Sequence, residues 1–576
     1  MPHFDLIVRN ALIYDGRGGE PFVGDIAVDG ATIREVGAVE GAGRREIDAK
    51  GLAAMPGFVD IHTHYDGQAT WSDRMTPSSD HGVTTVVMGN CGVGFAPCRP
   101  QDREVLVKLM EGVEDIPEVV MEAGIPWTWE SFAEYLDFLD GRRFDVDVSA
   151  QLPHAPLRVY VMGERAGSIE DATDEDIARM KALTEEALAA GALGFSTTRS
   201  INHRSANGEV SPSYHAAEKE LIGIASALRE ADAGVLQGVA DMLTEDEAVE
   251  RVGLFRRMAE AAGRPTTTSV VEHTPNDAWR KALETIGEAN RDGVVLRAQV
   301  FSRALGLIMG LELSQTPVSS SALFKSLRKL PLAERVAKLR EPEVRATIIA
   351  EAQASPKAYK HFDRVYHLGD TPNYEPDPQN SLANISKRTG VSPFELAYDM
   401  LLEREGHGLL YGAMSNYYGG SLEHVREMLT HPDTVVGIGD GGAHYGLICD
   451  ASYPTHMLSY WGRDRASGER LPLPFIVKTL TKDNADAVGF TDRGVIAPGM
   501  KADLNIVDLE RLSLSSPEVA RDLPRDGVRM RQSAHGYVAT IVSGVVTREN
   551  GVDTGARPGR LVRGAGAAPP KHAVPA

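Results

Sequence analysis

The sequence predicts an α/β fold: a (β/α)8 TIM-like barrel with a small β-sandwich domain formed by both chain ends. Three features carry that prediction. Short β-rich runs alternate with helical stretches through the middle of the chain, the grammar of βα units around a parallel sheet. Eight such runs can be counted. Both ends of the chain repeat a different grammar, short alternating strands separated by Gly- and Asp-rich turns.

In chain order, residues 1–56 hold strands at 6–8, 11–14, 25–28 and 33–36 and make the first part of the β-sandwich. Residues 57–488 form the barrel, with strands expected at 58–64, 84–91, 146–152, 192–197, 235–239, 266–273, 294–301 and 434–440. Between the third and fourth, Thr173 is a plausible helix N-cap, Ile177, Met180, Leu183 and Ala187 recur at helical spacing, and Gly191 stops the pattern. An insertion at about 304–433, helical by its periodicity and interrupted by the loop 370–378, is expected over the catalytic face as a lid or pocket wall. Strands at 494–508 and 538–546 place the second part of the β-sandwich at 489–554. From 555 to 576 Gly, Ala, Pro and Arg dominate, and a flexible tail is expected.

The 576 residues carry a formal net charge of −21, which disfavours nucleic acid and anionic membranes as partners. Three cysteines, Cys91, Cys98 and Cys449, are too few and too unevenly spaced for a disulfide framework. The first residues show no basic, then apolar, leader pattern, and no apolar run reaches the ~18 residues of a bilayer span. A cytoplasmic enzyme is the expectation.

In a barrel of this kind, functional groups gather at the C-terminal ends of the strands. His62 and His64 end the first strand, one residue apart and so on one face. Cys91 ends the second, within Gly89-Asn90-Cys91-Gly92, His273 the sixth and Asp440 the eighth. Three imidazoles, a thiolate and a carboxylate make a borderline-soft ligand set that suits Zn2+ better than magnesium or calcium. A single such residue would be read as packing or a turn; five at one end of successive strands point to a metal.

These residues and their surroundings resemble the amidohydrolase superfamily, and within it the N-acyl-D-amino-acid deacylase (D-aminoacylase) group. The matching segments are 56–64, 82–97, 191–197, 439–440 and 497–504, and the likeness runs to about residue 544. Most of the superfamily bridges its metals with a carboxylated lysine, whereas this group is known for a cysteine. The resemblance implies that Cys91 is a ligand, that His62 and His64 hold a second metal position, and that Asp440 is both ligand and general acid/base. It implies one or two Zn2+ per chain. Two departures stand out. The group supplies a histidine at the end of the fifth strand, but residues 234–242 contain none, leaving Gln237 or Asp241 as substitutes. It also often has His-Lys where this chain has His273-Thr274-Pro275.

The expected activity is hydrolysis of a linear amide, an N-acyl amino acid foremost, by metal-activated water with Asp440 moving the proton. His203 or His444 would steady the oxyanion, Arg199 or Arg204 would pair a substrate carboxylate, and Tyr417 would line the pocket. The rival within the superfamily is a cyclic-amide or xenobiotic aryl-amide hydrolase. The fourth strand's Ser196-Thr197-Thr198, with no lysine, disfavours the cyclic-amide form. The rival of another class is an inactive barrel that binds rather than cleaves. A small-molecule amide is the expected partner, with a homo-oligomer as the default assembly.

Overall fold

The computed structural model describes residues 3–567. Eight parallel strands follow one another in chain order: Phe58–Asp60, Val83–Met88, Asp147–Ala150 continuing as Leu152–Pro153, Gly194–Arg199, Val235–Ala240, Thr266–Ser269, Leu296–Val300 and Thr434–Val436. The first three pair with one another, and the last six, counting Leu152–Pro153, form a second parallel ladder. Between the eighth and the first, Thr63 bridges Gly441 in parallel, and the His64 N–H donates to the Gly441 carbonyl at 2.8 Å. The ends meet.

Each strand is buried on both faces, as apolar runs such as Val83–Met88 require. Helices cover the outside. In Asp174–Ala190 Thr173 and Asp176 make a reciprocal capping box, and Gly191 closes the helix at φ 103°, where the missing Cβ is needed.

Several strands end earlier than their apolar runs suggest. The first stops at Asp60 because that carboxylate accepts the His62 N–H at 3.3 Å, a local bond that competes with the ladder. The sixth stops at Ser269 and the eighth at Val436. His62, His64, His273 and Asp440 therefore sit in the turns beyond the strands.

The chain ends build one nine-stranded sheet. Its seam is Ala53–Pro56 running antiparallel to Leu504–Val507, with Leu504 opposite Pro56. Leu6, Val8, Ile26, Leu504 and Ile541 bury a core of their own beneath it, each burial contributing about 1.5–3 kcal/mol. A hairpin of Glu518–Leu523 and Gly527–Arg531 leaves that sheet, and its Met530 N–H reaches the Tyr445 carbonyl at 2.7 Å.

Two expectations change. The insertion is not helical alone: Leu305–Met309, Leu409–Ser415 and Val365–Leu368 make a three-stranded antiparallel sheet, and the insertion buries its own cluster around Phe324, Val336, Ile348 and Leu410. Its loop 370–378 is pinned by a buried ion pair, Glu375 with Arg465 at 3.0 Å. The tail is also not free from residue 555. Gly559 exchanges hydrogen bonds with Phe144, the Val148 N–H donates to the Arg560 carbonyl at 3.0 Å, and the Val562 N–H donates to that of Val148 at 2.7 Å. A segment too poor in apolar residues to fold alone is ordered here by the open edge of the third strand. Residues 568–576 lie outside the described residues.

Candidate metal centre

Among the described residues, the side chains of His62, His64 and Cys91 form a tight group of potential ligands, their donor atoms all within 4.8 Å of one another. All three are buried. His62 Nε2 stands 3.3 Å from Cys91 Sγ, and Asp440 Oδ1 is 3.4 Å from His62 Nε2 and 3.5 Å from His64 Nε2. His273 lines the same cavity of about 200 Å³, outside that tight group. Larger hollows of about 390 and 900 Å³ lie elsewhere and are lined by none of these residues.

The backbone is bent to present these groups. Cys91 has φ 55° and Asp440 φ 46°, left-handed conformations that non-glycine side chains seldom adopt and that the surroundings must enforce. The glycines flanking Cys91 serve the neighbouring strands. A Cβ on Gly89 would meet the Gln151 carbonyl at 2.3 Å, and one on Gly92 would meet Thr197 Cα at 2.9 Å. Asn90 ties three strands together, donating to the Thr63 and Val87 carbonyls and accepting from Gln151.

Around the candidate ligands stands a ring of partners. Gln299 accepts from His62 Nδ1 at 2.5 Å, which leaves Nε2 to face Cys91, and it donates in turn to Thr267. Glu114, buried at the end of the helix Arg103–Glu114, lies 3.3 Å from His64 Nδ1 and 3.5 Å from His444 Nε2. Gln237, where the fifth-strand histidine was expected, accepts the Cys91 N–H at 3.0 Å. Asp241 faces the cavity but takes up its oxygens on the Ser200 hydroxyl at 2.8 Å and the Ile201 N–H at 2.6 Å.

Burial pushes the Cys91 thiol up to about 12, against the pull of His64. Burial also acts to raise Asp440, but the hydrogen bond from His64 and the nearby His62 and His444 prevail and hold it well below the usual carboxylate range. Glu114 is raised by burial, opposed by His64 and His444. The thiol thus needs a stronger neighbouring positive charge to ionise at neutral pH, while the imidazoles around Asp440 already keep it an anion.

The other expected site residues divide. His203 and His444 line the cavity, His203 anchored through Nδ1 to the Thr198 hydroxyl at 2.8 Å. Arg199 does not reach it: its guanidinium donates to the Tyr214 and Ala216 carbonyls at 2.7 and 2.6 Å. Arg204 sits in an exposed turn, donating to the Gly208 carbonyl at 2.8 Å, and Tyr417 is buried with its hydroxyl on the Pro376 carbonyl at 2.6 Å. In each case a loop carbonyl accepts from the group that was expected to meet substrate and turns it from the cavity. Glu114 and Gln299 escaped sequence reading. A glutamine near the end of the seventh strand, whose other polar residue is Arg297, was the one signal available for Gln299; Glu114 stands on a helix face with no motif around it.

The model of the Amidohydrolase family matches residues 45–548. The N-acyl-D-glutamate deacylase of Alcaligenes xylosoxydans xylosoxydans is 26% identical over 511 residues, 88% of this chain and 88% of that protein. The D-aminoacylase of the same organism is 36% identical over 195 residues, 34% of this chain and 37% of that one. Among solved structures, a D-aminoacylase crystal structure superposes with a TM-score of 0.65 at 22% identity, covering 97% of this chain and all of that one.

Proposed function

The chain belongs to the amidohydrolase family, and from that premise we propose that it is a metal-dependent hydrolase of a linear amide C–N bond, with zinc as the ion its donors suit best. The observation that carries this reading is the convergence of His62, His64 and Cys91 on one point beside the anionic Asp440. Two imidazoles, a thiol and a carboxylate fit a borderline-soft divalent ion. The high position of the Cys91 thiol fits too, because a bound cation is what would make it a thiolate.

His62, His64, Cys91 and Asp440 would hold the metal, with His273 the nearest candidate for a further ligand. When bound, zinc polarises a carbonyl and lowers the pKa of water to about 7. Asp440, ionised at neutral pH, accepts the proton of the attacking water at a carboxylate oxygen and returns it to the departing amine nitrogen. Glu114 orients His64 and His444, and Gln299 fixes the tautomer of His62 by accepting at Nδ1. His203 and His444 are available to donate to the oxygen that gains charge.

The eight parallel strands and the Thr63–Gly441 link support reading residues 57–488 as a closed (β/α)8 barrel. The sheet shared by the two ends supports a single small β domain from residues 1–56 and 489–554, folded as a sandwich over its core. No helix among the described residues is long and apolar enough to cross a membrane. Three cysteines, all free and buried, support a reducing, cytoplasmic setting.

The test is elemental analysis of the purified protein together with an amide-hydrolysis screen, with and without a chelator. Zinc near one or two per chain and chelator-sensitive release of a free amine are expected. A protein that binds no divalent metal and releases no amine overturns the reading and leaves a binding protein in its place.

A further inference from the structure

The walls of the cavity speak to the substrate. Five of its lining residues are branched and apolar, Val113, Val239, Val271, Leu305 and Ile438. Three are carboxylates, Glu114, Asp241 and Asp440. Not one is lysine or arginine. The arginines nearest in sequence to the site are turned elsewhere: Arg199 to the Tyr214 and Ala216 carbonyls, Arg204 in an exposed turn to the Gly208 carbonyl at 2.8 Å, and the buried Arg303 to Asp450 at 2.6 Å.

The carboxylates are committed as well. Asp440 faces His62 and His64, Glu114 faces His64 and His444, and Asp241 accepts from Ser200 and Ile201. None is free to hold a substrate cation. A substrate carboxylate beside the scissile amide would enter a partly dry space whose wall offers no guanidinium or ammonium partner and where three acidic groups and the Cys91 thiolate already outnumber the two charges of a divalent ion held there. Burying such a charge unpaired is costly. A neutral amide meets no such penalty, because its carbonyl and N–H find imidazoles and hydroxyls such as His203, His273 and Ser269, and its hydrocarbon finds the apolar wall.

We propose that the site selects an uncharged amide: a small N-acyl amine with an apolar group beside the scissile bond and no carboxylate next to it. The cavity of about 200 Å³ is smaller than the ~300–1,000 Å³ of sites that enclose drug-sized ligands, so the acyl or the amine side is short. The proposal rests on the amide-hydrolase reading above and narrows it away from N-acyl amino acids.

The experiment compares pairs that differ in the carboxylate alone. The zinc-loaded full-length protein is given N-acetyl-leucine, as either enantiomer, and N-(3-methylbutyl)acetamide, the same skeleton without the carboxylate; the series is repeated with acyl groups up to hexanoyl. Amide cleavage is read as carboxylic acid release. The expected result is a kcat/KM at least about 100-fold higher for the neutral partner, the scale set by an unpaired buried charge. Leu305→Arg, which adds a cation at the cavity wall, is expected to raise kcat/KM for the acids by about 10-fold. Preferential cleavage of the acids by the unaltered protein overturns the charge argument and leaves the hydrolase reading intact. Cleavage of neither set at any acyl length overturns the hydrolase reading itself, and this proposal with it.

Discussion

Gln237 shows how much of the centre depends on side chains that touch no ligand atom. Its amide oxygen holds the N–H of Cys91, whose backbone is kept at φ 55°. Gln237→Leu is expected to cost about 1–3 kcal/mol by leaving that buried donor unpaired, and to loosen the metal; denaturant melts and a zinc titration read the two effects separately. Gln299→Leu frees the His62 ring and is expected to weaken zinc about 10–100-fold, measured by competition with a chelating dye. Asp440→Asn should lower kcat by at least about 10²-fold while the protein still melts cooperatively and retains zinc, since the amide keeps the shape and an oxygen donor but loses the base. Near-normal turnover in that variant would remove Asp440 from the mechanism. Residues whose chemistry announces itself, His62, His64, Cys91 and Asp440, were legible in the sequence because strand ends give them a common address. Glu114 was not, since its approach to His64 and His444 joins a helix after the second strand to turns after the first and eighth, a long-range fact without local pattern. Arg199 and Arg204 misled for the converse reason: a sequence shows a charge but not the loop carbonyls that claim it.

At the scale of elements, regular structure was read best where local chemistry decides it. Thr173, Asp176 and Gly191 fix the two ends of one helix by capping alone. The strands inside the insertion were missed because short apolar runs such as Leu305–Met309 and Leu409–Ser415 show no alternation that separates strand from buried helix. The segment 559–564 was read by composition as free, and composition does not see an edge waiting for it. Val148, fully buried, both donates to Arg560 and accepts from Val562. Deleting residues from 555 onward is therefore expected to cost at least about 2–6 kcal/mol for the two Val148 groups left unmatched, with the N–H and carbonyl of buried Phe144 adding to it; the check is the denaturation midpoint of the truncated chain. An unchanged midpoint would mean that the third strand is satisfied without this segment.

For the molecule as a whole, contacts that join segments distant in the chain make stability depend on pH. The buried His81 ring bonds the Thr455 hydroxyl at 2.8 Å and the Gln532 carbonyl at 2.9 Å, joining segments more than 370 residues apart. Burial pushes its pKa down to about 4 from the ordinary 6.5. Between those values the unfolded chain binds a proton that the folded one refuses, so the stabilisation is complete above about pH 6.5 and falls as the pH drops toward 4. The loss amounts to about 3 kcal/mol. Denaturant unfolding of the native protein and of His81→Asn at pH 7.5 and 4.5 isolates it. The native protein should lose most of that amount relative to the variant at the lower pH, since buried carboxylates such as Asp60, Asp66 and Asp145, which burial pushes the opposite way, are common to both. The alternation of strand and helix could be read along the chain; the meeting of Thr63 with Gly441 could not, because closure is a property of the finished curve.

The pairing of residues 559–564 with the third strand also sets an order of events during synthesis. The third strand is made more than 400 residues before the segment 559–564, and one of its edges has no partner until that segment appears. The terminal sheet waits similarly, since Ala53–Pro56 needs Leu504–Val507. A nascent chain of this protein therefore carries exposed strand edges through the making of several hundred residues, the condition under which folding chains most readily pair with one another, and its dependence on chaperones should fall once residues 504–507 and 559–564 have emerged and docked.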